Sequence, residues 1–562
     1  MKKRSSIFGK RVLTLMMTGV MCTSLLAGCG SGNTKSTEEK SSTESSTTDV
    51  AATTETKTEG AKEVVQATYP LRTDNPTLTV YMRDSSSGVV GNWGDIEAFK
   101  TAMAKLGVTL EFIHPAVGSE ADQFNLMIAS NEYPDIILWD YSTSPMGLEQ
   151  LVNEGVLVDM DDLIRQYAPN YLSVLNNNEE YAKEATSNNG HYLGMYSFSA
   201  SYPISGGPTL RGDLLKKNNL EVPVTVDDWT NVMTKLKESG DTKYPLTSGK
   251  ARDGSVLFDL ILPAYKTSNG FCLDDKSGNV VYGPSTENFK SYLTKLNEWY
   301  NAGLIDPEFM SNDGKSMNAK LTDGTCVAGS LQLNYHIANI TNTARQTNPT
   351  FEFEGATWPT LNKGDKASFP LGNGTYYSGL QATVTSACKD PVLATQVLDY
   401  FYSTEGNDLV CWGTEGKSYT KAADGTKTYT DEIMKNPNGK TPQEAILQYA
   451  IPTYAFSNVI LTDSYLPMVT SLPEQNVARE RWLDADTGVN MPRVTVSPEV
   501  QSEFNTIMNQ INTYQQEMYI AFITGQSNLT SDWDTYVETI KGMGLDTAIQ
   551  YKQEAYTLYQ SR

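Results

Sequence analysis

The chain has 562 residues, enough for two large lobes or about three modules, and a formal net charge of −22. So acidic a balance disfavours nucleic acid and anionic lipid as partners, because both reward clustered Lys and Arg. The sequence contains no G-x-S-x-G elbow, Walker loop, G-x-G-x-x-G or H-E-x-x-H pattern, so motif-borne hydrolase, nucleotide and zinc-protease chemistry has no support.

At the N-terminus, Lys2, Lys3, Arg4, Lys10 and Arg11 precede an apolar run from Val12, and small residues then lead into Cys29. This is the layout of an exported precursor. Leu26-Ala27-Gly28-Cys29 resembles a bacterial lipobox, which implies a signal peptide over 1–28 and lipidation of Cys29. An uncleaved anchor is the competing reading, but the apolar run is short for a bilayer. Losing 1–28 removes five positive and no negative side chains, which takes the net charge to near −27. The expected location is the outer face of the cell membrane, held by lipid alone, with a Gram-positive setting favoured. Residues 29–66 are mostly Ser, Thr, Glu, Lys, Gly and Ala. They cannot bury enough apolar surface to offset ordering entropy, so a disordered tether is expected. About 37 residues at roughly 5–6 Å × √n give a mean reach on the order of 30–35 Å.

Order begins with a strand at Thr77–Met82, followed by a helical pattern from Trp93 to Leu106. A strand at Val108–Ile113, a helix around Gln123–Ser130 and a strand at Asp135–Asp140 come next. Alternating strands and helices imply βαβ units with a mostly parallel sheet, whose ligands meet the loops beyond the strand C-termini. Those loops carry Arg83, Trp93, Trp139, Asp140 and Tyr141. A Trp-Asp-Tyr run offers a flat apolar face beside hydrogen-bonding groups, which suits a sugar, although packing accounts for single aromatics equally well.

Further on, Thr225 and Asp228 form a capping-box pattern ahead of Trp229, Val232, Met233 and Leu236 at helical spacing. Phe351–Glu354 reads as a half-buried strand, and the segments Gly374–Gly379 and Ala382–Ala387 lead into a helix at Leu393–Phe401. After Thr441 the chain is mostly helical. The helix Ser531–Met543 carries a core stripe of Trp533, Tyr536, Val537 and Ile540, with Ser531 and Asp534 as its cap and Gly544 as its end. After processing, Cys272, Cys326, Cys388 and Cys411 remain, widely spaced and without a C-x-x-C pair. His114, His191 and His336 are scattered. A zinc cluster is unsupported. Disulfides in one of three pairings and buried free thiols both stay open.

Arg211-Gly212-Asp213-Leu214-Leu215 through Val222-Pro223-Val224-Thr225 to Asp228-Trp229 resembles the R-x-D-W-L-x-x-L-G-L-x-V-P-x-T-x-D-E-W signature of family 1 extracellular solute-binding proteins of bacterial ABC importers. The similarity is to their large lipoprotein subgroup linked to oligosaccharide uptake. Gly212, Leu214, Asn218 and Asn219 depart mildly from it. Ala129–Leu138, Trp299–Phe309, Gly413–Tyr419 and the C-terminal Phe522–Gly525, Trp533–Tyr536 and Met543–Leu545 resemble further motifs of that family, so the likeness runs from about residue 75 to the end. Arg211-Gly212-Asp213 also spells the integrin tripeptide, which is read as chance.

The resemblance implies an α/β chain with a two-lobe, periplasmic-binding-protein-like type II fold, hinge crossovers and a helical C-terminal part. Expected boundaries are 67–203 with 373–440 for the first lobe and 204–372 with 441–562 for the second. It implies a monomer that closes on an oligosaccharide and presents it to ABC permease transmembrane subunits, with no catalysis. Candidate ligand-binding residues are Arg83, Trp93, Trp139, Asp140, Tyr141, Arg211, Tyr335, Trp358, Tyr376, Tyr377 and Trp412. No cofactor is expected. Asp274–Gly278 lacks the spaced oxygens and distal Glu of a Ca²⁺ loop, yet some members of that family hold structural Ca²⁺, so such a site stays open. Two other functions remain open: an extracellular polysaccharide hydrolase or lyase, and a surface lipoprotein that binds a protein partner. Adjacent acidic pairs such as Asp161-Asp162 are poorly placed for the first of these.

Overall fold

The computed structural model describes residues 63–562 apart from 85–88, 142, 143, 145, 201–203, 251–255, 369–376, 437 and 439. The expected signal peptide, Cys29, most of the expected tether and Tyr376 lie outside the described residues, and of Tyr377 only the backbone is described. The backbone N–H of Val65 donates to the carbonyl of Gln166 (2.8 Å), so docking onto the first lobe begins just before the expected end of the tether.

In the first lobe, β1 (Thr77–Tyr81), β2 (Thr109–Ile113), β3 (Ile136–Trp139) and β4 (Met195–Ser199) alternate with helices. Period-two alternation sends Leu78, Val80, Leu110, Phe112, Ile136 and Leu138 into the large core on one face of the sheet. Tyr81, Ile137 and Trp139 enter a smaller core on the other face, with Phe124 and Tyr141. The helix Glu97–Leu106 lays Ala98, Phe99, Ala102 and Leu106 on the large core and stops at Gly107, whose φ of 66° a side chain would strain.

The second lobe starts with β5 (Gly206–Arg211), followed by a hairpin of β6 (Phe271–Leu273) and β7 (Val280–Tyr282), then β8 (Ala328–Gln332) and β9 (Phe353–Gly355). Its main sheet has the order β8-β5-β9 with antiparallel pairing throughout. Helices Val226–Glu238, Glu287–Asn301, Pro498–Thr524 and Trp533–Gly542 pack Trp229, Trp299, Tyr519 and Trp533 over one face. The helix Pro473–Leu483 covers the other, with Trp482 lying against Gly207 and donating from Nε1 to the Pro208 carbonyl (3.2 Å). A Cβ on Gly207 would sit 2.7 Å from the Trp482 ring, so glycine permits this approach. The Thr225–Asp228 capping box forms as expected. The helix Trp533–Gly542 instead begins at Asp532 without a side-chain cap, because the Ser531 hydroxyl donates to the Asp532 carboxylate (2.7 Å).

The chain then returns. β10 (Tyr377–Val384) joins the first lobe, β11 (Tyr419–Lys421) and β12 (Lys427–Tyr429) form a hairpin, and β13 (Val459–Ile460) completes a six-stranded sheet of order β13-β4-β10-β3-β1-β2. β10 is antiparallel to both its neighbours, and the remaining pairs are parallel. The second-lobe assignment of 441–562 therefore needs correcting. Ile446, Ile451, Phe456, Met468 and Val469 lie in the first core and β13 edges its sheet, so the boundary falls after Val469. Cys272, Cys326, Cys388 and Cys411 are buried free thiols. Burial pushes the Cys388 and Cys411 thiols up to about 11. No helix among the described residues is long and apolar enough to cross a membrane.

Trp139→Ala and Trp533→Ala should each lower stability by about 3–5 kcal/mol in denaturant unfolding, because both rings are buried. An unchanged midpoint for Trp139→Ala would place that ring at a surface instead.

Candidate functional site

Strand direction fixes where the lobes face each other. The C-terminal ends of β1, β2, β3, β4 and β13 and the start of β10 share one edge of the first sheet. The start of β5 and the ends of β8 and β9 share one edge of the second, since Gly206 pairs with Gln332 and Thr209 with Gly355. Only six residues separate Ser199, which ends β4, from Gly206, which begins β5, so the two edges lie within ~25 Å of each other. Asn334 of the second lobe donates to Gln443 of the first across this gap.

On the second-lobe side the gap widens into a cavity of about 960 Å³ at the start of β5 and the end of β8. A pair of phenols builds its wall. The N–H of Phe258 donates to the Tyr519 hydroxyl (2.9 Å), and the Tyr292 hydroxyl donates to the Phe258 carbonyl (2.9 Å). The two hydroxyls are 2.8 Å apart. Helices Pro498–Thr524 and Glu287–Asn301 thereby pin the loop that presents Asp259. The Ser330 hydroxyl donates to Asp259 Oδ2 (3.2 Å), and burial pushes the Asp259 carboxyl up to about 6. A second support lies behind Thr247, where Asp306 accepts from Thr247 Oγ1 (3.1 Å), Asn312 Nδ2 (2.8 Å) and Lys320 Nζ (2.7 Å).

Tyr335 sits on a π-helical turn, Leu333–Ala338, and is 44% exposed at the cavity. Gly314 lies beneath it, where a Cβ would come within 2.4 Å of the tyrosine oxygen. His336 Nδ1 accepts from the Gln332 N–H (2.9 Å), which leaves the proton on Nε2. Burial pushes His336 down to about 4, so the ring is neutral near pH 7. The first-lobe edge contributes exposed Arg83 and half-buried Asp140, which pairs with Arg493 (3.5 Å). Among the described residues, no group of three or more His, Cys, Asp or Glu side chains is placed to hold a metal ion.

Of the residues singled out in the sequence, the structure places Arg83, Asp140, Tyr335 and the backbone of Tyr377 along the gap. Tyr376 lies outside the described residues, and the others pack elsewhere. Trp93 is buried and donates from Nε1 to Asp84 (3.1 Å). Trp139 stacks on Phe124 at 4.5 Å in the smaller core. Tyr141 touches a second cavity of about 170 Å³, but its ring is buried and its hydroxyl bonds Thr383 (2.6 Å). Trp358 lies under the second sheet, and Trp412 packs 4.7 Å from Tyr429 in the first core. Arg211 ends β5 at the edge away from the gap, forks onto Asp213 (2.7 Å twice) and covers the Phe351 ring. Asp259, Ser330, Gln332, Asn269 and Gln443 escaped the sequence reading, because an isolated polar residue carries no periodic signal, whether it stands in a loop, on β8 or in the helix Pro442–Ile446.

Two packed lobes, a gap lined by strand ends and repeated chain crossings define a hinge-type ligand-binding protein. Residues 95–408 match the model of the bacterial extracellular solute-binding protein family, and the chain belongs to that family. It is 24% identical over 472 residues to the fructooligosaccharide ABC transporter substrate-binding protein FusA of Streptococcus pneumoniae serotype 4, covering 78% of this chain and 83% of that protein. Among solved structures it resembles the alginate-binding protein AlgQ2 (TM-score 0.68, 20% identity, covering 86% of this chain and 99% of that one). It also resembles an HMO-binding, ABC-transporter-associated solute-binding protein from Bifidobacterium longum infantis (TM-score 0.69, 16% identity, 86% and 99%).

Because its folded pKa is raised, Asp259 holds a proton in the folded state that the unfolded chain has lost between about pH 4 and 6, so its contribution to stability falls as pH rises through that window. The melting temperature of Asp259→Asn relative to wild type should accordingly rise from pH 5 to pH 7 and then level off. A difference that stays flat with pH would show that the carboxyl is not held protonated.

Proposed function

We propose that this chain is a lipid-anchored receptor that captures an oligosaccharide between its lobes and passes it to an ABC import permease. The observation that carries this reading is the hinge-gap cavity of about 960 Å³, in which exposed Tyr335 stands near Asp259, Ser330, Gln332 and Asn269. An aromatic face beside fixed hydrogen-bonding groups matches the two kinds of surface on a pyranose or furanose ring. The volume lies in the range of small-ligand sites. The named ligand class of the FusA relative supports the same substrate class.

Anchoring through Cys29 follows from the Leu26–Cys29 pattern, and the tether gives a tethered monomer room to turn and dock. The protein acts as a binder: among the described lining residues Asp259 is the one carboxylate, whereas hydrolysis by acid and base needs a facing pair. Binding is proposed to need no cofactor. The Asp274–Gly278 loop turns Asp274 Oδ1 inward onto the Ser277 N–H and hydroxyl, both at 2.8 Å.

Calorimetry with an oligosaccharide panel tests the site. Tyr335→Ala should weaken binding roughly tenfold, in line with loss of 1–2 kcal/mol of ring contact, with the unliganded melting temperature unchanged. Equal affinity in the variant would remove Tyr335 from the site. Cell fractionation tests the anchor: Cys29→Ala should move the protein from membrane to medium while it still binds sugar, and retention on the membrane would contradict lipidation there.

A further inference from the structure

The charges inside the cavity narrow the ligand further, given the oligosaccharide reading above. Among the described residues that line it, the ionisable side chains are Lys250, Asp259, Tyr335 and His336. His336 is buried, with Nδ1 engaged by the Gln332 N–H. Lys250 is exposed, and its backbone N–H is tied to the Asn312 carbonyl (2.9 Å). A solvated ammonium on a four-carbon stem is screened by water and salt, and it holds an anion weakly. Asp259 differs from both. It is half-buried, Tyr519 and Tyr292 hold the backbone N–H and carbonyl of the preceding Phe258, and the Ser330 hydroxyl donates to Oδ2, so the carboxylate is held at the cavity wall. Among the described lining residues, the fixed charge is therefore negative. Across the gap, Arg493 is paired with Asp140 and Arg83 is exposed, so no buried cation on the described first-lobe edge offsets it.

An ionised carboxylate is an acceptor only. It takes hydroxyl donors in charge-assisted bonds that are stronger than neutral ones. A ligand carboxylate at the same place would offer no proton and would add like-charge repulsion in a partly desolvated space. We propose that Asp259 is a specificity-determining residue that selects neutral, hydroxyl-rich oligosaccharides and rejects acidic ones carrying uronate groups. Ser330 assists by donating to Oδ2, which orients the carboxylate toward the ligand side of the wall.

The test uses matched pairs: short gluco-, manno-, galacto- and fructo-oligosaccharides, each against the same compound oxidised at one primary hydroxyl to the carboxylate. Affinities are measured by calorimetry at pH 7.5 with wild type and Asp259→Asn. For each neutral compound that binds, its oxidised partner should bind wild type at least roughly tenfold more weakly. Asp259→Asn, which keeps an oxygen for Ser330 but has no charge, should close most of that gap by strengthening the acidic partner. Equal or tighter binding of the acidic partner to wild type would overturn the proposal, as would an unchanged ratio in Asp259→Asn. If no member of any pair binds, the oligosaccharide reading falls and charge selection falls with it. Binding without discrimination refutes charge selection alone.

Discussion

Three passages of the chain between the lobes, near 199–206, 368–377 and 469–475, constrain everything else in the molecule. The first runs from the end of β4 to the start of β5, which holds those two sheet edges together at the gap, and the last joins the helix Thr462–Val469 to the helix Pro473–Leu483. The strand ends and their loops, where backbone polar groups are not consumed by sheet pairing, are thus gathered on one surface. Passages of this kind also suit hinge motion, since a few residues at element ends absorb the change while each lobe stays packed. The lobes are built to remain rigid: Trp93, Trp229, Trp299, Trp358, Trp482 and Trp533 are all fully buried.

Within that frame the cavity is shaped from behind. Tyr292 and Tyr519 come from two long helices far apart in the chain, yet they meet on a single residue, Phe258, one at its N–H and one at its carbonyl, and so position Asp259. Thr247 is held in the same way by the Asp306–Asn312–Lys320 cluster. A second bridge joins the lobes at the flank of the gap. There the C-terminal helix Leu545–Gln560 brings Tyr559 to Glu184 (3.3 Å), and Arg562 beyond it donates to Asn188 (2.8 Å). Burial pushes Glu184 up to about 8 and Lys552 down to about 8.

Much of the fold was legible because its elements obey simple periods. Alternation in Thr77–Tyr81 and Thr109–Ile113, the Thr225–Asp228 cap and the Trp533–Tyr536–Ile540 stripe each predict what forms. The lobe boundary after residue 440 was not legible. Nothing in Val459–Ile460 marks a two-residue strand that pairs with β4 from 261 positions earlier in the chain. The site was read least well, and aromatic residues account for most of the difference. A Trp at a strand end looks the same in sequence whether it faces ligand or core. Trp139 follows the parity of Ile137 into the smaller core, and Trp93 caps the first helix from inside. Tyr335 stayed exposed because its turn is π-helical and Gly314 leaves room beneath it, and neither feature has a sequence period.

The central claim is that the lobes close on a ligand held between the two sheet edges. Small-angle X-ray scattering on the soluble chain, with and without an oligosaccharide that binds by calorimetry, tests it most directly. The account predicts a smaller radius of gyration on saturation, with secondary structure unchanged by circular dichroism. A radius that stays the same under saturating ligand would contradict closure and place the binding site outside the gap.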